Sequence, residues 1–503
     1  MSTEKLTSSP LPEQYYAAVD LGSNSFHLVI VRVTHGCVHI VGKVKQKVRL
    51  AAGLNQDLQL DELSMERGWK CLETFAERLQ DIPPANIRIV ATATLRLAGN
   101  AGTFLSQAEG ILGHKIDVIS GEEEARQIYL GVAYTSANQG NSLVIDIGGA
   151  STEVVVGKDF TPLKLASLDM GCVTFMERYF QQGQLTQCNF DSAMAAARAL
   201  VRQIAPEYKT YQWRQCLGAS GTPQAVTEIM VAQGINDNIR LTYLQDLMHQ
   251  CVEHGSLDKL DIEGLSEARR SVFPSGLAIL LVLFEEVGIE QMQISGGALR
   301  EGLIYGMLEN IHHHDIRLQT LDSLICRFHI EEEQAHRVAE TALALYRQLP
   351  QTELFCQMDA EGVLLAAARL HEIGLHIDYK LSHQHGSYIL SHVAMPGYTK
   401  LQQDSIRDLI LCHRQDLNLQ PFSLYQQDVA IVLKMLCRLL RIAFVLSIRR
   451  KNNLLPAIEL KTDDEAITLV FPDGWLKAHP LLDAELANER WLQHRVGCTL
   501  EIK

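Results

Sequence analysis

No two of the eleven cysteines in this 503-residue chain stand in a CxxC spacing, their number is odd, and several, such as Cys412 and Cys437, lie inside apolar runs. This excludes a disulfide framework and a zinc site of ordinary spacing, and it is the usage expected of reduced thiols in the cytoplasm. Long hydrophobic runs are missing too. The longest, Leu277 to Phe284, falls far short of the roughly 18 residues a spanning helix needs. The opening MSTEKLTSSPLPEQ carries no apolar stretch of signal-peptide type. Nor is there an excess of basic residues: 45 Lys and Arg against 59 Asp and Glu leave a formal net charge of −14. General binders of nucleic acid or membrane surfaces are normally basic. The expectation is a cytoplasmic protein with neither as its partner, in which any anionic substrate meets a local basic patch.

What is present is an α/β pattern long enough for two to four domains. Tyr15 to Leu21, Phe26 to Val33 and Cys37 to Leu50 read as strands, because β-branched residues dominate and Gly22 and Gly36 punctuate them. Asp61 to Gln80 reads as a capped helix, Ile87 to Leu95 and Lys115 to Ser120 as strands, and Gly121 to Tyr134 as a helix. Strand-turn-strand then restarts at Leu143 to Ile147 and Ser151 to Gly157, with Leu163 to Leu168 as a third strand. DLGSNS at Asp20 to Ser25 and DIGGAS at Asp146 to Ser151 align with Gly22 on Gly148, Ser25 on Ser151 and Val29 on Val155. An acid, a glycine turn and two flanking apolar runs thus occur twice, which indicates a duplicated domain. Beyond about His312 glycine becomes sparse, and Glu331 to Leu349, Val363 to Leu370 and Val429 to Arg450 show helical periodicity. From Leu455 a β-rich tail closes the chain, with Pro472, Asp473 and Gly474 as a turn. The expected domains are 1–135, 136–311, 312–453 and 454–503.

A glycine turn after a strand lets backbone N–H groups approach an anion, and hydroxyls add donors. Gly22, Ser23, Asn24 and Ser25 fit this, as do Gly148, Gly149, Ser151 and Thr152. One such loop is an ordinary hairpin, whereas two facing turns led by aspartates suit a phosphate chain clamped from both sides. GASGT at Gly218 to Thr222 and SGGALREG at Ser295 to Gly302 offer two more turns. Magnesium takes oxygen ligands and commonly only one or two carboxylates. Asp146 and Glu153 straddle the second turn and Asp20 offers a matching carboxylate from the first, although Glu153 aligns with His27. SGEEEAR puts Glu122, Glu123 and Glu124 at a helix N-terminus, where the macrodipole favours acids. One of the three, directed into the cleft, would serve as a general base for water. Lys43, Lys45, Lys47 and Arg49 alternate along VGKVKQKVRL, either as a lysine-guarded edge strand or as an anion track. Arg96, ending ATATLR, is a candidate fork for phosphate. The triplet His312 to His314 reads as a solvent-exposed junction.

In this order and spacing DLGSNSFH, ATATLR, SGEEEAR, DIGGASTE, GASGT and SGGALREG resemble the exopolyphosphatase/guanosine pentaphosphate phosphatase family. KVRLAAGLN, AERLQDIPPANIRIVATATLRLA and the alanine of DIGGAS resemble its guanosine pentaphosphate branch. The resemblance implies two actin-like, ribonuclease H-like domains of the superfamily that includes hexokinase and Hsp70, then an HD-like helical domain and a small β-rich domain. It implies Glu124 as the base, Mg²⁺ on Asp146 and Glu153, and a homodimer. The implied reaction is conversion of the alarmone pppGpp to ppGpp, with processive hydrolysis of polyphosphate as the alternative. A sensor that binds alarmone without hydrolysing it would have no need of the base. The histidines at 371, 376, 383, 385 and 392, with Glu372, resemble an HD metal-hydrolase constellation. Glu372 stands where an aspartate belongs, and Arg441 to Ser447 lacks an acid, which argues against a working metal site there.

Overall fold

Ala17, Val19 and Leu21 alternate with Tyr16, Ala18 and Asp20, and this period of two sends the first set into a core with Phe26, Leu28, Leu72 and Phe75. Asp20 is thereby left on the opposite face of the strand. The computed structural model describes residues 14–34, 37–55, 57–136, 140–235, 238–308, 316–350, 352–452, 454–463 and 466–503. The histidine triplet at 312–314 lies outside them. The chain divides into two compact units, residues 1–314 and 315–503.

The first unit holds two five-stranded sheets. One is built from β1 (Gln14–Leu21), β2 (Ser25–Thr34), β3 (Cys37–Lys47), β4 (Ile87–Ala91) and β5 (Asp117–Val118), in the order β3-β2-β1-β4-β5. The other comprises β6 (Asn141–Ile147), β7 (Thr152–Lys158), β8 (Thr161–Leu168), β9 (Gln215–Gly218) and β10 (Gln293–Ile294), in the order β8-β7-β6-β9-β10. The two sheets have one topology: an antiparallel meander whose first strand pairs in parallel with the fourth. The repeat seen in the acid-and-glycine turns is therefore a repeat of the whole sheet.

Two helices, Gly121–Thr135 and Leu299–Met307, pack between the sheets. Their crossing is tight because a β-carbon on Gly302 would stand 1.8 Å from the Gln127 carbonyl oxygen, and one on Gly131 2.0 Å from that of Ala298. Tyr134 and Tyr305 stack at 4.4 Å beside it. The crossing sets Glu124, in the first turn of one helix, and Arg300, in the first turn of the other.

Several details of the first unit differ from the sequence expectation, among them the strand read over Lys115 to Ser120, which spans only Asp117–Val118. The segment read as a strand to Leu95 leaves the sheet at Ala91 and forms a short helix, Ala93–Leu97, so Arg96 stands on a helix. The basic strand stops at Lys47, because Val48 and Arg49 turn to donate their N–H groups to the Asn24 carbonyl. Arg49, at φ 52°, is consequently off the strand and out of the alternation.

In the second unit helices Ile316–Arg327, Glu332–Tyr346, Ala360–Leu370, Ser382–His392, Lys400–Cys412 and Gln427–Leu446 enclose one apolar core. The chain end is not purely β. Strands β11 (Glu459–Asp463), β12 (Ala466–Val470) and β13 (Leu500–Ile502) form a sheet, and the helix Pro480–Arg495 lies between the last two. Leu460, Ile467, Leu469, Leu486 and Leu500 share the core of the preceding helices. Glu489 from that late helix is paired with Arg441, whose Nε and Nη2 donate to its two oxygens, each at 2.8 Å, fully buried. No helix among the described residues is long and apolar enough to cross a membrane.

Candidate active site

The antiparallel register makes the site. Asp146 on β6 pairs directly with Glu153 on β7, and in the first sheet Asp20 on β1 pairs with His27 on β2. Directly opposed residues point to the same face, so the seven-position spacing across each turn brings two functional side chains together twice. The turns also meet. A β-carbon on Gly149 would lie 2.9 Å from Ser23 Cβ and 3.1 Å from the Asn24 nitrogen, an approach that only glycine allows. The second turn is braced from below, with the Cys172 and Val173 N–H groups donating to the carbonyls of Gly148 and Gly149. Ser23, Ser25 and Ser151 are buried at this junction, and Ser25 Oγ has no hydrogen-bond partner among the described residues. Thr152 is turned away from it: its hydroxyl donates to the Met170 carbonyl at 2.6 Å and supports the loop.

Of the glutamates in SGEEEAR, Glu122 is exposed, Glu123 accepts from Gln127 and pairs with Arg126, and Glu124 is buried. Arg96 Nη1 donates to Glu124 Oε2 at 3.2 Å and to the Ile119 carbonyl at 2.8 Å, which fixes both side chains. Burial lifts the Glu124 carboxyl well above its ordinary range; the Arg96 guanidinium works against this, while Asp20 and Asp146 add to it. Asp20 is raised to about 6, chiefly by burial, against the pull of Arg300. Asp146 is raised to about 7 by burial and by Asp20. Glu153 is pushed up strongly by burial and by Glu124 and Asp146, although Ser167 Oγ donates to it at 2.8 Å.

Four mutually repelling carboxylates are thus gathered at one place, and Oδ1 of Asp20 is buried there without a donor. Among the described residues no group of three or more His, Cys, Asp or Glu side chains is placed to hold a metal ion by itself. A hard divalent cation that draws most of its ligands from water and phosphate needs none. The all-oxygen donor set and the unpartnered Asp20 Oδ1 fit such an ion.

Beside the carboxylates lies the opposite charge. His27 on β2 pairs in turn with Lys45 on β3. Lys45 is lowered to about 8 by burial and then by Arg269 and Arg300. Arg269 lies across Gly221, whose β-carbon would fall 1.9 Å from its Nη2. Lys47 donates to the Ala268 carbonyl, and Lys43 reaches Glu301 at 3.6 Å. Arg269 stands in no recognisable motif, Arg300 lies within the SGGALREG turn, and His27 is the position at which the two repeats differ, so nothing local in the sequence marks the three as site residues.

The histidine-rich segment of the second unit does not converge. His376 and His392 are exposed, while His371 and His413 each donate Nδ1–H to the carbonyl three residues earlier at 2.7 Å. Glu372 is held by Arg450.

The model of the Ppx/GppA phosphatase family matches residues 29–311, and that of Ppx/GppA phosphatase, domain III, matches residues 316–490. The chain is 62% identical over 486 residues to a guanosine-5'-triphosphate,3'-diphosphate pyrophosphatase of Pseudoalteromonas atlantica, covering 97% of each chain. It is 49% identical over 490 residues to the protein of the same name in Aeromonas hydrophila, covering 97% of this chain and 98% of that one. Among solved structures, an exopolyphosphatase from Cytophaga hutchinsonii matches with a TM-score of 0.54 at 22% identity, over 59% of this chain and 98% of that one. At that identity the likeness speaks for the fold alone.

Proposed function

The chain belongs to the Ppx/GppA phosphatase family, and on that premise we propose that it removes the terminal 5′-phosphate of guanosine-5′-triphosphate,3′-diphosphate (pppGpp), giving ppGpp and inorganic phosphate. The observation that carries this reading is the meeting of opposite charges in the cleft: Asp20, Glu124, Asp146 and Glu153 are gathered there, Arg300 bears on Asp20 and Asp146, Arg269 on Asp146, and Lys45 on the neighbouring His27. The relatives at 62% and 49% identity supply the nucleotide.

In this mechanism Glu124 orients a water molecule and takes its proton. The water oxygen bonds to the terminal phosphorus, the anhydride bond to the next phosphate breaks, and its electron pair leaves with the shortened nucleotide. Arg96 keeps the Glu124 carboxylate aimed and favours its ionised, proton-accepting form. The backbone N–H groups of the two glycine turns grip the phosphate chain, and Lys45, Arg269 and Arg300 face the charge that spreads over its oxygens. Positioning and electrostatics of this kind account for most of the catalysis in phosphoryl transfer. Asp146 and Glu153, with Asp20 beside them, are the residues to hold Mg²⁺, which when bound neutralises phosphate oxygens and offsets the repulsion among these acids. The helical second unit is read as HD-like, with Arg450 on Glu372 in place of a working metal centre.

Glu124→Gln tests the base. Its kcat for phosphate release from pppGpp should fall by about 10²- to 10⁴-fold, the usual worth of a general base, with KM nearly unchanged; near-normal turnover sinks the assignment. Exopolyphosphatase activity is the second reading, favoured by the row of Lys43, Lys45 and Lys47 on β3. The ratio of kcat/KM for pppGpp to that for long polyphosphate on one preparation separates the two, and a large polyphosphate preference overturns the first.

A further inference from the structure

His27 occupies the register position in the first sheet that Glu153 occupies in the second, and no role in the chemistry above falls to it. Its ring nevertheless makes a specific contact across 273 residues of chain: Arg300 Nη1 lies 3.0 Å from His27 Nδ1. A guanidinium only donates, so Nδ1 is the acceptor and the proton of the neutral ring sits on Nε2. The next residue of the same helix turn, Glu301, reaches Lys43 on the same sheet face.

We infer that His27 is a positioning residue, whose Nδ1 holds the Arg300 guanidinium at the junction of the two sheets so that it faces the phosphate chain. This deepens the reading of the cleft as a phosphate-transfer site and rests on it. The residue type follows from charge. Burial, Arg300, Lys45, Arg269 and Lys43 all disfavour a second proton on the ring, so the imidazole stays a neutral acceptor. A carboxylate here, as in the second repeat, would also accept from Arg300, but its negative charge would cancel the charge that draws an anion. The imidazole orients the guanidinium and leaves that charge available.

The test uses the full chain, with kcat and KM for pppGpp and the Kd for inorganic tripolyphosphate by calorimetry. His27→Leu removes the acceptor and should raise KM and the tripolyphosphate Kd about ten-fold, the scale of one hydrogen bond to a charged group, with a smaller change in kcat. His27→Asn, whose Oδ1 stands near the Nδ1 position, should restore both to within about three-fold on the same scale. In an Arg300→Ala background His27→Leu should add nothing, because a residue that acts only through Arg300 has no effect once Arg300 is gone. Additive effects, or an asparagine variant as impaired as the leucine one, overturn the inference. Should the leucine variant not fold, His27→Asn and His27→Glu are compared: both keep an acceptor, the glutamate should bind tripolyphosphate about ten-fold more weakly, and equal binding overturns the inference. A wild-type chain that binds tripolyphosphate but releases no phosphate from pppGpp overturns the proposed function instead, while the binding comparison still judges His27.

Discussion

The two sheets of the first unit share strand order, pairing and register, yet the cross-strand pair beside each turn differs: Asp146 opposite Glu153 in one, Asp20 opposite His27 in the other. Burial acts on both pairs, lifting the carboxyls and depressing the imidazole. The consequences are opposite. The second pair collects negative charge that a cation can satisfy, whereas the first offers one carboxylate and a neutral acceptor set among Lys43, Lys45, Arg269 and Arg300. A duplicated scaffold therefore supplies equivalent positions, and one residue difference at an equivalent position sets a pair of acids apart from a pair of an acid and an imidazole.

The comparison can be broken most severely at Glu153. Glu153→His gives the second repeat the side chain of the first, and kcat for phosphate release should fall by about 10³-fold, the scale of losing one preorganised electrostatic group. A variant within a few-fold of wild type would mean that the two pairs are interchangeable. A smaller effect is expected where the turns touch. Gly149→Ala places a methyl against Ser23 and the Asn24 backbone, and spreading the turns should lower kcat/KM by about 10²-fold, as misplacements near 1 Å do; unchanged kinetics would show that the turns act independently.

The smallest effect is on stability. Asp20 and Asp146 stand at about 6 and about 7 in the folded chain, above the ordinary carboxyl value. Their stabilising contribution is present at low pH and is lost as pH rises through those values, since ionising them in the fold costs more than in the unfolded chain. Millimolar Mg²⁺ should therefore raise the Tm of the metal-free chain more at pH 8 than at pH 5, by about 2 °C or more, and Asp146→Asn should abolish most of that difference. An equal shift at both pH values would separate the ion from these acids.

Much of this was legible in the chain. The two acid-and-glycine turns, the strand-turn-strand repeats and the acidic start of the Gly121–Thr135 helix are local patterns, written in hydrophobic period and turn chemistry. The boundaries that failed did so for non-local reasons. Arg49 leaves β3 because the Asn24 carbonyl, from another turn, captures its N–H, and Arg96 is helical although a β-rich run precedes it. The Pro480–Arg495 helix went unread because its pattern is weak; tertiary partners stabilise it, notably the buried Arg441–Glu489 pair.

By itself the sequence determined the repeat, the donor types and the seven-residue spacing that an antiparallel register converts into a facing pair, because these depend only on strand periodicity. Only the tertiary structure decided which glutamate of SGEEEAR is buried against Arg96, that Gly149 meets Ser23, and that Arg269 and Arg300 approach a histidine on the opposite sheet. Burial and long-range approach shift the four acids, His27 and Lys45 of the cleft, and neither is encoded in the order of neighbouring residues.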